Sequence, residues 1–576
     1  MTQIIDLNVP TDSGTESEKR EPSTIKEQPK PKSGTQVRFH DLDALRAGAM
    51  LLGIVLHAAL SFGTIPWPVK DSIQSETYDY LFECIHGFRM PLFFMLSGFF
   101  TAMLWRKRGL SGLVRQRGYR IGIPLFVSCL TIIPCMWAIS LLASRATSGQ
   151  PENPEVWEAI ATGDFPAVKT AIESGKFDVN SSSSDGASAL TVAVFLGHND
   201  LVSLFINAGA DVNQKNGDGG TALHTAAFVG RSDAAEKLVA AGADPTARDP
   251  SGQTPGDLLQ TDLGTTLFLA GSFGLNLKEE ELLAGRAEIG KQLQVDDYLG
   301  ADGAREGVDL KGLYGLFFQL PVFMHLWFLS FLCWLLLPFA AYTLVSKWIP
   351  LGSIPRWLIC SPLSLAWLVP LTMVSQSWMS PGVFGPDASV GLLPIPSVLI
   401  YYAVFFFFGV VYWEAEDRLG EFGRYWYLAL PAAMIAVFPV GSNLVSGNAS
   451  WFSMDTNSET RSVLANFTEA TFAWLMIYGT IGLCRSLLSK ENRTIRYVSD
   501  SSYWLYLTHL PLVLLAQYWV RDWDMSPLFK FVGVTVAVTT VLLGSYQLCV
   551  RHTLVGRVLH GPRQRHRNEA AGTVAA

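Results

Sequence analysis

The feature that most constrains this chain is a series of apolar runs, each about 20 residues long and so able to cross a hydrocarbon core about 30 Å thick as a helix. They cover roughly 44–63, 82–104, 121–142, 326–345, 357–374, 397–413, 425–440, 463–484, 501–519 and 528–550. In lipid every backbone N–H and C=O must find its partner within the protein, so runs of this length are read as helices rather than open strands. The expected fold class is all-α: a polytopic membrane bundle of about ten transmembrane helices. A shorter run at 313–323 cannot span, and is expected along the membrane surface or at the entry to the fourth helix.

Between the third and fourth runs the chain turns polar and shows a period. Leu190 in SALTVAVFLGH and Leu223 in TALHTAAFVGR are 33 residues apart, as are the AGAD of Ala208 to Asp211 and that of Ala241 to Asp244. Two motifs recurring at one spacing point to stacked structural units. The pattern resembles the ankyrin repeat, with Thr221-Ala222-Leu223-His224 near its usual box, Ser188-Ala189-Leu190-Thr191 further from it, and a degenerate first unit over 154–180. The resemblance implies an inserted α-helical solenoid that binds a protein partner or only spaces the domain.

The resulting division is a disordered tail at 1–36, membrane helices 1–3 at 37–145, and the repeat insertion at 152–262. A linker at 263–312, membrane helices 4–10 at 313–552 and a basic tail at 553–576 complete it. The tail at 1–36 is rich in Thr, Ser, Glu, Lys and Pro and has no apolar core of a cleaved signal. The net charge of −7 gives no indication of nucleic-acid binding. The seven cysteines lie in or beside apolar runs without a CxxC pair, which reads as buried thiols, with no metal site expected.

Lys and Arg set the orientation. Arg106, Lys107, Arg108, Arg115, Arg117 and Arg120 fall on one side, with Lys347, Arg356, Arg418, Arg424, Arg485, Lys490, Arg493, Arg496 and the basic tail. The opposite short loops carry only Lys70, Arg461 and Arg521. Both termini are therefore expected in the cytoplasm and the insertion outside, in what reads as a bacterial inner membrane protein.

Charged groups within a membrane span are costly, roughly 2.5–3.5 kcal/mol on insertion scales, and usually face a protein interior or a wet cavity. His57 and Arg89 are such groups, as is Glu469. At about 1.5 Å per helical residue, His57 lies roughly 20 Å from the cytoplasmic face, and Arg89 and Glu469 roughly 10 Å from the outer one. A base, a cation and a carboxylate are thus expected in one outer layer, with mutual neutralisation of Arg89 and Glu469 the structural alternative. Arg46 enters the same helix eleven residues before His57, with Asp43 nearly one turn earlier. Arg117 and Arg120, three apart, are expected on one helical face, a pairing suited to phosphate but also explained by ordinary positive-inside bias.

These residues bring a family into view. The chain resembles the integral-membrane O-acyltransferases of acyltransferase family 3. The likeness rests on Arg46 and His57 with ten residues between them, on the Arg117-x-x-Arg120 pair and on the FFMLSGF run ending at Phe99, and it is nearest to the succinyl-transferring glucan biosynthesis branch. Further likeness lies in HLWFL at His325 and SSYWLYLTHLPLVLL around His509. The resemblance implies O-acyl transfer, of acetyl or succinyl, from cytoplasmic acyl-CoA to a hydroxyl of an extracytoplasmic acceptor, a glucan or another carbohydrate. No permanently bound cofactor is implied; acyl-CoA is the donor substrate. His57 would be the general base, Arg89 the oxyanion stabiliser and Glu469 an orienting or acceptor-holding group. Arg46, Arg117 and Arg120 would hold the donor, and Asp43, Ser97, His325 and His509 would contact substrate. The competing reading is a polytopic transporter or channel with an ankyrin interaction module.

Overall fold

The computed structural model describes residues 39–147, 153–183, 186–217, 219–249, 253–261, 263–272, 275–295, 317–318, 322–346, 348, 354–379, 383–417, 420–446 and 458–560. The tail at 1–36, most of the 313–323 run, part of the linker and the chain after 560 lie outside the described residues.

All ten apolar runs form helix. Among the described residues seven helices are long and apolar enough to cross a membrane: His40–Ala59, Glu76–Ser140, Met324–Val345, Pro396–Glu414, Trp426–Val445, Thr460–Leu487 and Pro527–Val550. Three of the ten runs are not separate members of that set, for physical reasons. The second and third join, because α2 (Glu76–Arg117) runs through a π-helical turn at Gly118–Gly122 directly into α3 (Ile123–Thr147). The fifth is broken at Ser361 and Pro362 into Arg356–Cys360 and Leu365–Gln376. The ninth, Arg493–Val520, is 28 residues long but interspersed with polar side chains.

The bundle is organised around α1 (His40–Ala59) and α2. The turn that follows α1 leaves carbonyls without backbone partners, and Lys70 folds back to satisfy them: its Nζ donates to the carbonyls of Leu60, Gly63 and Ile65 at 3.2, 2.6 and 2.5 Å. At the start of α2, Ser75 accepts from the Thr77 N–H at 3.3 Å. Against helix Pro396–Glu414, α2 packs backbone to backbone. A Cβ at Gly98 would lie 1.8 Å from the Phe406 carbonyl, and one at Gly409 2.0 Å from that of Met95. Small residues that allow close approach are the usual means of helix association in membranes, so the FFMLSGF run has a packing role here. Phe94, on the same run, sits among Trp327, Phe328, Phe331 and Tyr402.

Gly109, with φ of 69°, breaks α2 without ending it and turns its last two turns back on the bundle. That bend is what brings Arg117 beside Thr101, sixteen residues earlier.

The insertion folds as helix pairs: Pro154–Thr162 with Phe165–Glu173, Ala189–Leu196 with Asn199–Asn207, and Ala222–Val229 with Ser232–Ala240. They share one core that includes Trp157, Val168, Leu190, Leu201, Phe205, Leu223 and Leu238. His224 explains the box residue. Its Nδ1 accepts from the Thr221 N–H at 3.2 Å, and its Nε2–H donates to the Gln253 carbonyl at 3.1 Å, tying one unit to the next.

Residues 263–295 do not behave as the linker the sequence suggested. Helix Glu279–Leu293 buries Leu282 and Ile289 against the last repeats, and a Cβ at Gly285 would lie 1.9 Å from the Gly230 carbonyl. The fully buried Arg286 donates to the carbonyls of Thr261 (2.5 Å) and Phe228 (2.7 Å) and to Thr266 Oγ1 (2.7 Å). The segment caps the solenoid, which a quasi-one-dimensional stack requires at its ends.

Candidate active site

His57 lies in the last turn of α1. Gln517 shapes its surroundings. Its amide donates to the carbonyls of His57 (2.9 Å) and Ala58 (3.2 Å), and its Oε1 accepts from Trp67 Nε1 at 2.9 Å. The same amide thus satisfies the end of the helix and holds Trp67 stacked on the His57 ring, with centroids 5.7 Å apart and planes 17° from parallel. The ring is half-buried, and its Nδ1 is fully buried with no partner.

Arg89 reaches α1 from α2 at Gly53. A Cβ built on Gly53, one turn before His57, would lie 2.2 Å from Arg89 Nη1. The guanidinium therefore rests directly on the backbone of α1. Among the described residues its guanidinium has Met90 Sδ as a polar neighbour at 3.8 Å, and its Nε is buried without a partner. Tyr402, Tyr506, His57, His509 and His86 are within its electrostatic reach. Among the described residues no carboxylate pairs with it.

Two further histidines complete the chamber. His509 is 5.1 Å from His57, centroid to centroid, and His325 is 5.5 Å from His509. His325 Nε2–H donates to the Leu507 carbonyl at 3.2 Å, while Tyr506 Oη–H donates to the His325 carbonyl at 2.6 Å. Arg89 thus meets α1 one turn from His57, with His509 and His325 beside the His57 ring.

Glu469 is not in that group. Its carboxylate accepts from the Gly385 N–H at 2.8 Å and from the Gln376 amide. A second carboxylate, Glu83, lies alongside, accepting from Ser442 Oγ (2.5 Å) and the Phe384 N–H (3.4 Å). His86 Nε2–H donates to the Pro386 carbonyl at 2.9 Å. Glu83, His86 and Glu469 together anchor the segment 384–386 in the bundle. Equal depth therefore did not mean contact: Glu469 pairs with a buried loop backbone, and neutralisation of Arg89 by Glu469 is not what the structure shows.

The groups expected at the donor end lie at the opposite ends of the same helices. Arg117 Nη2 donates to Thr101 Oγ1 at 2.5 Å and borders a cavity of about 140 Å³ with Val114, Gly118, Leu332 and Cys333. Arg120 is half-buried and within electrostatic reach of Arg117, although a π-helical turn, not a regular α-turn, separates them. Arg46 is engaged by Asp43 Oδ1 (3.2 Å) and by Ser499 Oγ (2.6 Å), and Ser499 Oγ–H donates to Asp43 at 2.9 Å. Arg46 and Asp43 thus fasten α1 to helix Arg493–Val520. The Ser97 carbonyl accepts from Thr101 Oγ1 at 2.6 Å, the same hydroxyl that receives Arg117.

Several residues of the site were not singled out from the sequence: Gly53, Trp67, Glu83, His86, Tyr402, Tyr506 and Gln517. Glu83, His86 and Gln517 carried a usable signal, a polar group inside an apolar run. Gly53 carried none, since its role is only to leave room.

Residues 39–152 and 266–546 match the family described as acyltransferase domain, and residues 156–249 match ankyrin repeats in three copies. The family match resumes at 266, within the segment that caps the solenoid. Among curated proteins, the glucans biosynthesis protein C of Salmonella paratyphi B, of Salmonella heidelberg and of Salmonella agona is in each case 34% identical over 116 residues. That stretch is 20% of this chain and 29% of the relative. The chain therefore spans under a third of the length of these relatives.

Proposed function

Because the chain belongs to the acyltransferase-domain family, we propose that it moves an acyl group, acetyl or succinyl, from cytoplasmic acyl-CoA to a hydroxyl of an extracytoplasmic acceptor, a glucan or another carbohydrate. The acyl-CoA phosphates bind at the end of the bundle that carries Arg117 and Arg120, with Arg46 nearby, and the thioester extends along α1 toward His57. His57 takes the proton from the acceptor hydroxyl as it attacks the thioester carbonyl, imidazole being the side chain suited to proton transfer near neutral pH. Arg89 stabilises the oxyanion that forms. Collapse of the tetrahedral intermediate expels the CoA thiolate, which is protonated as the ester is released. A succinyl donor brings a free carboxylate that Arg89 holds instead. Glu469 enters as the anchor of the 384–386 loop on the acceptor side.

The observation that carries this reading is Arg89: a cation inside the bundle, one helical turn from a half-buried imidazole, with no carboxylate partner among the described residues. An uncompensated buried charge is retained against a cost of several kcal/mol, and a transient anion is the simplest compensation. Orientation follows from the distribution of Lys and Arg: both termini in the cytoplasm, the repeats outside, in a bacterial inner membrane, where the repeats receive a protein partner or act as a spacer. The test is mass spectrometry of periplasmic glycans from cells with and without the chain, supplied with labelled acyl-CoA precursor. The reading expects labelled esters only with the chain present. Identical glycans in both strains contradict it, and a reporter in 154–260 that signals from the cytoplasm contradicts the orientation.

A further inference from the structure

Three histidine rings meet in the chamber, and the hydrogen bonds of two of them fix their tautomers. Carbonyl oxygens only accept. His509 Nδ1 faces two of them, Leu505 at 3.1 Å and Tyr506 at 2.9 Å, so Nδ1 carries the proton. Its Nε2 is then a bare lone pair, and that atom is buried with no partner. The other orphaned nitrogen on the facing ring is His57 Nδ1, also fully buried. An orphaned acceptor and an orphaned ring nitrogen on adjacent rings complement each other.

The spacing allows them to meet. Two imidazoles joined nitrogen to nitrogen at about 2.9 Å, with a ring radius of roughly 1.2 Å at each end, have centroids about 5.3 Å apart. The observed separation is 5.1 Å, with planes 38° apart. That separation admits a hydrogen bond from His57 Nδ1–H to His509 Nε2 on rotation of the His57 ring.

We propose that His509 is the positioning residue for His57: its Nε2 accepts the His57 Nδ1–H, holding His57 in the tautomer whose Nε2 lone pair faces the reacting hydroxyl. This rests on the reading of His57 as the base. During transfer His57 Nε2 takes the hydroxyl proton, Nδ1–H stays on Nδ1, and the imidazolium is oriented by the neutral His509. The role resembles that of the carboxylate in a serine protease triad, which fixes tautomer and orientation without itself being protonated. A neutral acceptor is the better choice beside Arg89, because an additional carboxylate there would pair with the guanidinium and remove it from the reaction. The charged and titratable groups facing His57 are His509, Arg89, His325 and His86.

Two substitutions in the full-length protein in nanodiscs separate positioning from packing. His509→Gln keeps an acceptor near the Nε2 position; His509→Leu keeps bulk and removes the acceptor. We expect kcat to fall on the order of a hundredfold in H509L with KM for acyl-CoA within about twofold, and H509Q to stay within about tenfold of the parent. Ring ¹³C and ¹⁵N shifts of labelled histidine supply a second readout that needs no turnover. The resonance lost in His57→Ala belongs to His57, and it should report Nδ1–H in the parent and in H509Q but Nε2–H in H509L. Undiminished kcat in H509L, or a His57 tautomer unchanged by it, overturns the inference. An equal loss in H509Q and H509L also overturns it. An active H57A overturns the reading of His57 as base, and leaves the tautomer measurement to decide this inference separately.

Discussion

Substituting Gly53 with Ala should silence the enzyme while leaving it better folded. The ideal Cβ at Gly53 lies 2.2 Å from Arg89 Nη1 and 3.4 Å from Arg89 Cζ. An ordinary carbon–nitrogen contact is about 3.4 Å, so the guanidinium must retreat by roughly 1 Å, and it sits at the flexible end of its side chain, where retreat is cheap. Folding gains from the exchange, since Gly→Ala in a helix interior contributes about 0.5–1 kcal/mol. Catalysis loses, because displacing an oxyanion donor by about 1 Å is worth about a hundredfold in rate. Gly48 is the internal control. It lies on the same helix with nothing within 4 Å of its Cβ position, so Gly48→Ala should show the helix gain and no loss of rate. The assay is initial rate of acyl-ester formation in purified membranes, alongside thermal unfolding of the solubilised protein. Parent-like activity in a well-folded G53A refutes the placement of Arg89 as the oxyanion donor.

Other regions give independent tests. Lys530 Nζ and Asp71 Oδ2 form an ion pair at 2.8 Å with both side chains 1% exposed, so Lys530→Met should lower stability by about 3–5 kcal/mol, and adding Asp71→Leu should recover most of it in a denaturant titration. Thr101→Val removes the partner of Arg117 and should raise KM for acyl-CoA several-fold with kcat little changed, as measured by steady-state kinetics. In the repeats, Asp244 is held below the usual carboxylate range by the Thr246 hydroxyl and N–H, and Asp257 by the Thr254 N–H and hydroxyl. Lowered folded-state values mean that this stability is present above the ordinary carboxylate range and is lost as pH falls below about 4. Hydrogen exchange in 232–260 should accelerate over that descent, and less so in a doubly amidated D244N/D257N protein.

The sequence carried the bundle because apolar runs and buried charges are local signals, and it carried the repeats because their spacing is repeated. Boundaries were harder. Between the second and third runs lie a break at Gly109, with positive φ, and a π-turn at 118–122, neither of which alters the hydropathy pattern. The cap at 263–295 was invisible because its decisive residue, Arg286, looks like any surface arginine until its three carbonyl and hydroxyl partners are known. In the site, depth along a helix placed His57 and Arg89 together, yet the same arithmetic misassigned Glu469. Depth fixes one coordinate, and Glu469 faces Gln376 and Gly385 on another side of the bundle.

The central claim is that one chamber, built on His57 and Arg89, carries acyl transfer between the two sides of the membrane. Its most direct test is a proteoliposome with labelled acyl-CoA supplied only at the Arg117 end and a glucan acceptor enclosed at the other. The account predicts labelled glucan esters with the parent protein, and a loss of at least about a hundredfold in separate His57→Ala and Arg89→Ala proteins that insert normally. Undiminished transfer by either variant would contradict it.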